Sequence, residues 1–96
     1  MTINNLCCDI ENGETPAIQD QAFHDAIDLA KSKKCPEFQD FLDIYYSVLP
    51  WKKQQEKLAL TLAMKYAKTK SDYFRLTKVN DYSIVCEANQ KFLHAK

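Results

Sequence analysis

KKQQEKLALTLAMKYAKT, residues 52 to 69, is the stretch that decides the fold class. At about 100° per residue, Leu58, Ala59, Leu60, Leu62, Ala63, Met64, Tyr66 and Ala67 fill roughly two-thirds of a helical circumference. Lys57, Lys65 and Lys68 hold the remaining face. So wide an apolar band predicts a central helix covered from two sides, with Leu62 at its buried centre. Ala59, Ala63 and Ala67 supply a small-residue edge along which a neighbouring helix can approach closely.

Moving towards the N-terminus, Pro50 stops a preceding helix that starts at Pro36, with Glu37 in its first turn. Phe38, Phe41, Leu42, Tyr45, Val48 and Leu49 recur there at spacings of three and four, leaving Gln39, Asp40, Asp43 and Ser47 outward. Before it, Thr15 can cap and Pro16 suits the first position of a helix. Ile18, Ala22, Phe23, Ala26, Ile27, Leu29 and Ala30 share one half of that helix, while Asp20, His24, Asp25 and Asp28 share the other. Residues 1–14, with Asn4, Asn5, Asn12 and Gly13, show no lasting periodicity. They read as a loosely ordered arm on a single helical domain at 15–96.

Towards the C-terminus the pattern supports two readings. Tyr73 to Val79 and Tyr82 to Ala88, joined at Asn80 and Asp81, are rich enough in β-branched and aromatic residues for a β-hairpin. The favoured reading is a helix, because Ile84, Val85, Ala88, Phe92 and Ala95 form a stripe opposite Glu87, Gln90, Lys91 and His94, with Asn80 or Asp81 as a cap. A short helical turn near Ser71 to Arg75 precedes it. The expected architecture is all-α, a compact bundle of about four helices. One Gly and three Pro in 96 residues argue against an all-β meander.

No apolar run reaches the roughly 18 residues of a membrane span, and Met1 to Asp9 does not resemble a signal peptide. A cytoplasmic protein without membrane partners is therefore expected, with Cys7, Cys8, Cys35 and Cys86 as reduced thiols. The net charge of zero conceals a polarity. Up to Trp51, nine acids face three bases; from Lys52 to Lys78, eight bases face two acids. Such asymmetry marks a docking surface for protein or nucleic acid.

Catalytic chemistry finds no footing. The cysteines and histidines lack the short recurring spacings of a metal site, and Gly13 alone cannot form a phosphate-binding loop. Neither a cofactor nor a metal is expected. Asp25 with Asp28, and Asp40 with Asp43, lie on solvent-facing arcs and read as a solubilising or docking face, not as an acid/base pair.

The leading expectation is a small non-enzymatic protein-binding regulator, adaptor or inhibitor. Asp20, Asp25, Asp28, Asp40 and Asp43 would meet a basic surface on another protein or protein complex. Small adaptors, immunity proteins and phage-encoded inhibitors share this size class. A row of carboxylates can also imitate a phosphate backbone and occupy a basic channel. The alternative is a nucleic-acid-binding regulator using the segment Lys52 to Lys78, through Lys57, Lys65, Lys68, Lys70, Arg75 and Lys78. The same bases could instead meet the acidic helices within the fold or across a homodimer.

Overall fold

The computed structural model describes residues 2–95 and contains six helices: α1 (Ile3–Asn12), α2 (Pro16–Ser32), α3 (Phe38–Ser47), α4 (Lys53–Tyr66), α5 (Lys70–Leu76) and α6 (Tyr82–His94). Short connections fold consecutive helices back on one another, so that α1 packs chiefly on α2, α3 on α4 and α5 on α6. The three hairpins stand in a row. The middle one joins the others, α3 lying against α1 and α2 while α4 lies against α6 and α5. The Cα positions extend over 43 × 30 × 14 Å. The smallest of these is about what two helix layers require, given interaxial distances of roughly 8–10 Å and a Cα radius of about 2.3 Å.

Side-chain caps fix several helix starts. Thr2, Thr15 and Asp81 accept hydrogen bonds from the backbone N–H groups of Asn5, Ile18 and Ile84, each at 3.2 Å. At α5, the Thr69 hydroxyl accepts from the Asp72 N–H, and the Asp72 carboxylate accepts from the N–H groups of Thr69 and Lys68, forming a capping box. Burial alone would push the Asp81 carboxyl up, but hydrogen bonds from Ser83, the Ile84 N–H and Lys57 outweigh it and hold it below the usual carboxylate range. A depressed carboxylate contributes stability above its unfolded pKa and loses it as pH falls through the folded value. Asp81→Ala is thus expected to cost about 1 kcal/mol at neutral pH. The gap from the parent should close on acidification below about pH 4, as followed by urea unfolding across pH.

The core is one cluster, with Phe23, Phe41, Leu42, Ile44, Leu60 and Leu76 its largest fully buried side chains. Four sequence expectations change. Helix α1 replaces the loose arm: Ile3, Leu6 and Ile10 lie on one face and are buried against the rest of the core, with both asparagines of its first turns outward. Six helices replace four, because α1 and α5 are complete elements. The β-hairpin alternative fails, since residues 73–88 belong to α5, a turn and α6, and no strand occurs among the described residues. In α4 the fully buried leucine is Leu60, while Leu62 is only partly buried and Leu58 is exposed. The two-sided covering of α4 is present, by α3 on one side and the last hairpin on the other.

Gly13 makes the α1–α2 turn compact through its size, since its φ of −55° is open to any residue. Its N–H donates to the Asp9 carbonyl at 2.9 Å, and an added Cβ would lie 2.6 Å from that oxygen and 2.9 Å from the Gln19 Cγ. Gly13→Ala is expected to destabilise by about 1–3 kcal/mol through this overpacking. A calorimetric scan showing an unchanged melting temperature would contradict the close packing of α1.

Candidate interaction surfaces

The five aspartates expected to form an acidic face occupy different settings. On α2, Asp20 accepts hydrogen bonds from Lys52 and from Gln55, which hold its carboxyl below the usual range. Asp40 on α3 pairs with Lys33, and that contact raises the lysine. Asp43 accepts from the Gln39 side chain at 2.8 Å, and Asp25 from Gln21 at 3.0 Å. Of the five, only Asp28 is both exposed and outside any ion pair among the described residues. Asp20 and Asp40 are thereby committed to holding α2 to the start of α4 and the α2–α3 connection to α3.

The negative charge nevertheless stays together. The first hairpin carries Asp9, Glu11, Glu14, Asp20, Asp25 and Asp28 against Lys31 alone. Glu11 and Glu14, which sequence reasoning counts without singling out, are exposed at the α1–α2 turn. Their placement depends on α1 being a helix, so the periodicity of Ile3, Leu6 and Ile10 is the signal that could have found it.

The six bases divide into two groups. Lys57 and Lys65 line an open groove of about 450 Å³ between α4 and α6, together with Thr61, Tyr73, Ser83, Glu87 and Lys91. Within it Lys57 donates to Ser83 at 2.6 Å and pairs with Asp81 at 3.3 Å, while Lys91 pairs with Glu87 at 3.4 Å. Glu87 in the groove and Asp81 outside its lining therefore neutralise two of the groove's three lysines, leaving Lys65. Lys68 borders a shallow depression on the same side with Tyr73, Lys91 and His94. The remaining three are on or just after α5: Lys70 lies 4.8 Å from the Phe92 ring centre, Lys78 lies 5.0 Å from that of Phe74, and Arg75 donates to Gln39 on α3.

Several large apolar side chains remain in solvent. Tyr46 lies near the end of α3 and Trp51 (72% exposed) lies in the α3–α4 connection. Phe74 (50%), Tyr82 (85%) and Leu93 (76%) lie on the last hairpin, where Phe74 and Phe92 meet with ring centres 5.9 Å apart. Tyr73, in contrast, is half-buried and donates its hydroxyl to the Ala67 carbonyl.

The four thiols are free, Cys8 and Cys35 exposed and Cys7 and Cys86 half-buried. Burial raises Cys7, only partly offset by a hydrogen bond with Ser47. Among the described residues no group of three or more His, Cys, Asp and Glu side chains is placed to hold a metal ion, and no helix is long and apolar enough to cross a membrane. Comparison of the chain with protein-family models, with curated proteins and with solved structures gives no match.

Proposed function

We propose that this chain is a non-enzymatic protein-binding module, acting as a regulator, adaptor or inhibitor, whose acidic first hairpin receives a partner with a basic surface. The observation that carries this reading is the concentration of six carboxylates against one lysine on α1, α2 and their turn. Surface charge of one sign raises the encounter rate with an oppositely charged surface and disfavours partners of like charge. The contacting residues are Glu11, Glu14, Asp25 and Asp28, since Asp20 and Asp40 already have internal partners. Capture from an extract of the source organism tests it. A protein retained by the parent chain should be lost from a variant with Asp25→Lys and Asp28→Lys, while both chains melt alike. A protein retained equally by both would contradict the reading.

A nucleic-acid-binding role is the second reading, supported by Lys57, Lys65, Lys68 and Lys91 along the α4–α6 side. Its test is fluorescence anisotropy with labelled DNA and RNA at low salt. The neutralising Asp81 and Glu87 make no detectable shift the expected result. A shift that weakens steeply with salt, and that disappears with Lys65→Glu and Lys68→Glu, would establish this reading in place of the first.

A further inference from the structure

On α6, Tyr82, Cys86, Asn89 and Leu93 follow one another at spacings of four, three and four, so they form one stripe along the helix. Asn89 is its one strongly polar member, and it is exposed. Ser83, Ile84, Glu87 and Lys91, which line the groove against α4, occupy the opposite side. The stripe therefore points away from α4, out of the open end of the hairpin row. Towards α5 it is widened by Phe92 and Phe74, whose rings meet. Tyr82, Asn89 and Leu93 are exposed and Cys86 is half-buried, so most of this stripe is left uncovered by the described residues.

We infer that this end face is a docking site for an amphipathic helix of another protein, with an apolar stripe flanked on one side by acidic residues. This surface is separate from the acidic first hairpin. Its length fits such an occupant: the eleven steps from Tyr82 to Leu93 span about 16 Å, or three helical turns. Its rim sets the chemistry. Lys70 and Lys78 stand on the α5 side, over Phe92 and Phe74, whereas Gln90 and the exposed Glu87 lie beyond the far side. Acidic side chains on one flank of the bound helix would meet the two lysines while its apolar residues cover Tyr82, Leu93 and the two phenylalanines. Asn89, between the apolar ends, calls for one polar side chain opposite it, because a covered amide without a hydrogen bond is costly. That requirement fixes the register of the bound helix.

A second copy of this chain fits less well in either arrangement. Packing α6 antiparallel on α6 about a twofold axis would bring the lysine rim towards its own copy. A head-to-tail contact would offer the acidic first hairpin, whose only exposed large apolar side chain among the described residues is Ile18. A flat anionic membrane would cover Asn89 with no matched polar side chain opposite it.

The probe is a synthetic helical peptide of about four turns, or about 15 residues. It carries leucines spaced to meet the apolar side chains, one asparagine opposite Asn89, and glutamates along one flank. Titrated into the labelled full chain, it should bind in the micromolar range. Leu93→Asp should weaken binding at least about tenfold, as should the pair Lys70→Glu with Lys78→Glu, because each removes one half of the recognition. All three side chains are exposed, so the melting temperature should not move. Asp25→Lys with Asp28→Lys should leave peptide binding intact, which separates this site from the acidic hairpin. Four results would overturn the inference. They are no binding of the glutamate-flanked peptide; equal binding of a lysine-flanked one; a sedimenting dimer that Leu93→Asp dissociates; and attachment to vesicles of phosphatidylcholine and phosphatidylserine that Leu93→Asp abolishes.

Discussion

Phe41→Ala is expected to remove about 3–5 kcal/mol of stability, and Leu60→Ala about 2–5 kcal/mol. Both side chains are fully buried, Phe41 on α3 and Leu60 on α4. Phe41 stacks on Tyr66 of α4 with ring centres 5.3 Å apart and planes within 11°, so its loss empties a cavity and removes an aromatic pair between the two helices of the middle hairpin. That hairpin holds the other two, and a small domain has only about 5–15 kcal/mol in total. Phe41→Ala should therefore leave a chain that is marginally folded at room temperature. Leu62→Ala is the internal control, because a partly buried leucine should cost clearly less than Leu60. Urea unfolding followed by far-UV circular dichroism gives all three values. Equal costs at Leu60 and Leu62 would mean that α4 is rotated from the orientation described here.

The helices with strong apolar periodicity are legible in the sequence. Thr15 and Pro16 mark the start of α2, Pro50 lies just beyond α3, and Asp81 caps α6. The band on α4 correctly implies two covering neighbours, but a band of two-thirds of the circumference has no sharp centre. The choice between Leu60 and Leu62 depends on where α3 and α6 lie, which is tertiary information. Helix α1 is obscured by its composition. Asn4, Asn5 and Asn12 have poor helix propensity, and three buried residues in ten give a short pattern that becomes decisive only once α2 and α3 are there to cover it. For the hairpin alternative, local propensity in residues 73–88 is divided. The Thr69–Asp72 capping box and the Asp81 cap favour two helix starts where a β-hairpin would need two strands.

Candidate site residues are legible as charges and not as partners. The sequence places Asp20 and Asp40 on polar arcs, which is correct for their helices, but Lys52 and Lys33 arrive from other segments. In the same way, Lys70 and Lys78 look like phosphate contacts in the sequence, and their positions over Phe92 and Phe74 emerge only when α5 folds onto α6. The outer stripe on α6 is hidden by its own helix. Ile84, Val85, Ala88 and Phe92 make the stronger pattern on the inner face, and Asn89 interrupts the weaker one between Tyr82 and Leu93.

Reversing the charge of the first hairpin has the largest expected effect on function. Glu11, Glu14, Asp25 and Asp28 form no ion pair among the described residues, so replacing all four with lysine changes the field by about eight charges with little direct cost to packing. Omitting Asp20 and Asp40 matters, because a lysine there would face Lys52 or Lys33 and destabilise the fold. Against a basic partner, long-range attraction acts mainly on the encounter, and reversal should slow association by about 10- to 100-fold at low ionic strength. The difference should shrink as salt shortens the Debye length to about 8 Å at physiological ionic strength.

The association rate of the captured partner, measured by stopped flow for parent and reversed chains across ionic strength, decides whether the acidic hairpin guides protein binding. The expected result is a parent rate that falls steeply with salt and a reversed chain that is slow throughout, at unchanged melting temperature. Rates that coincide for the two chains and do not vary with salt would contradict it.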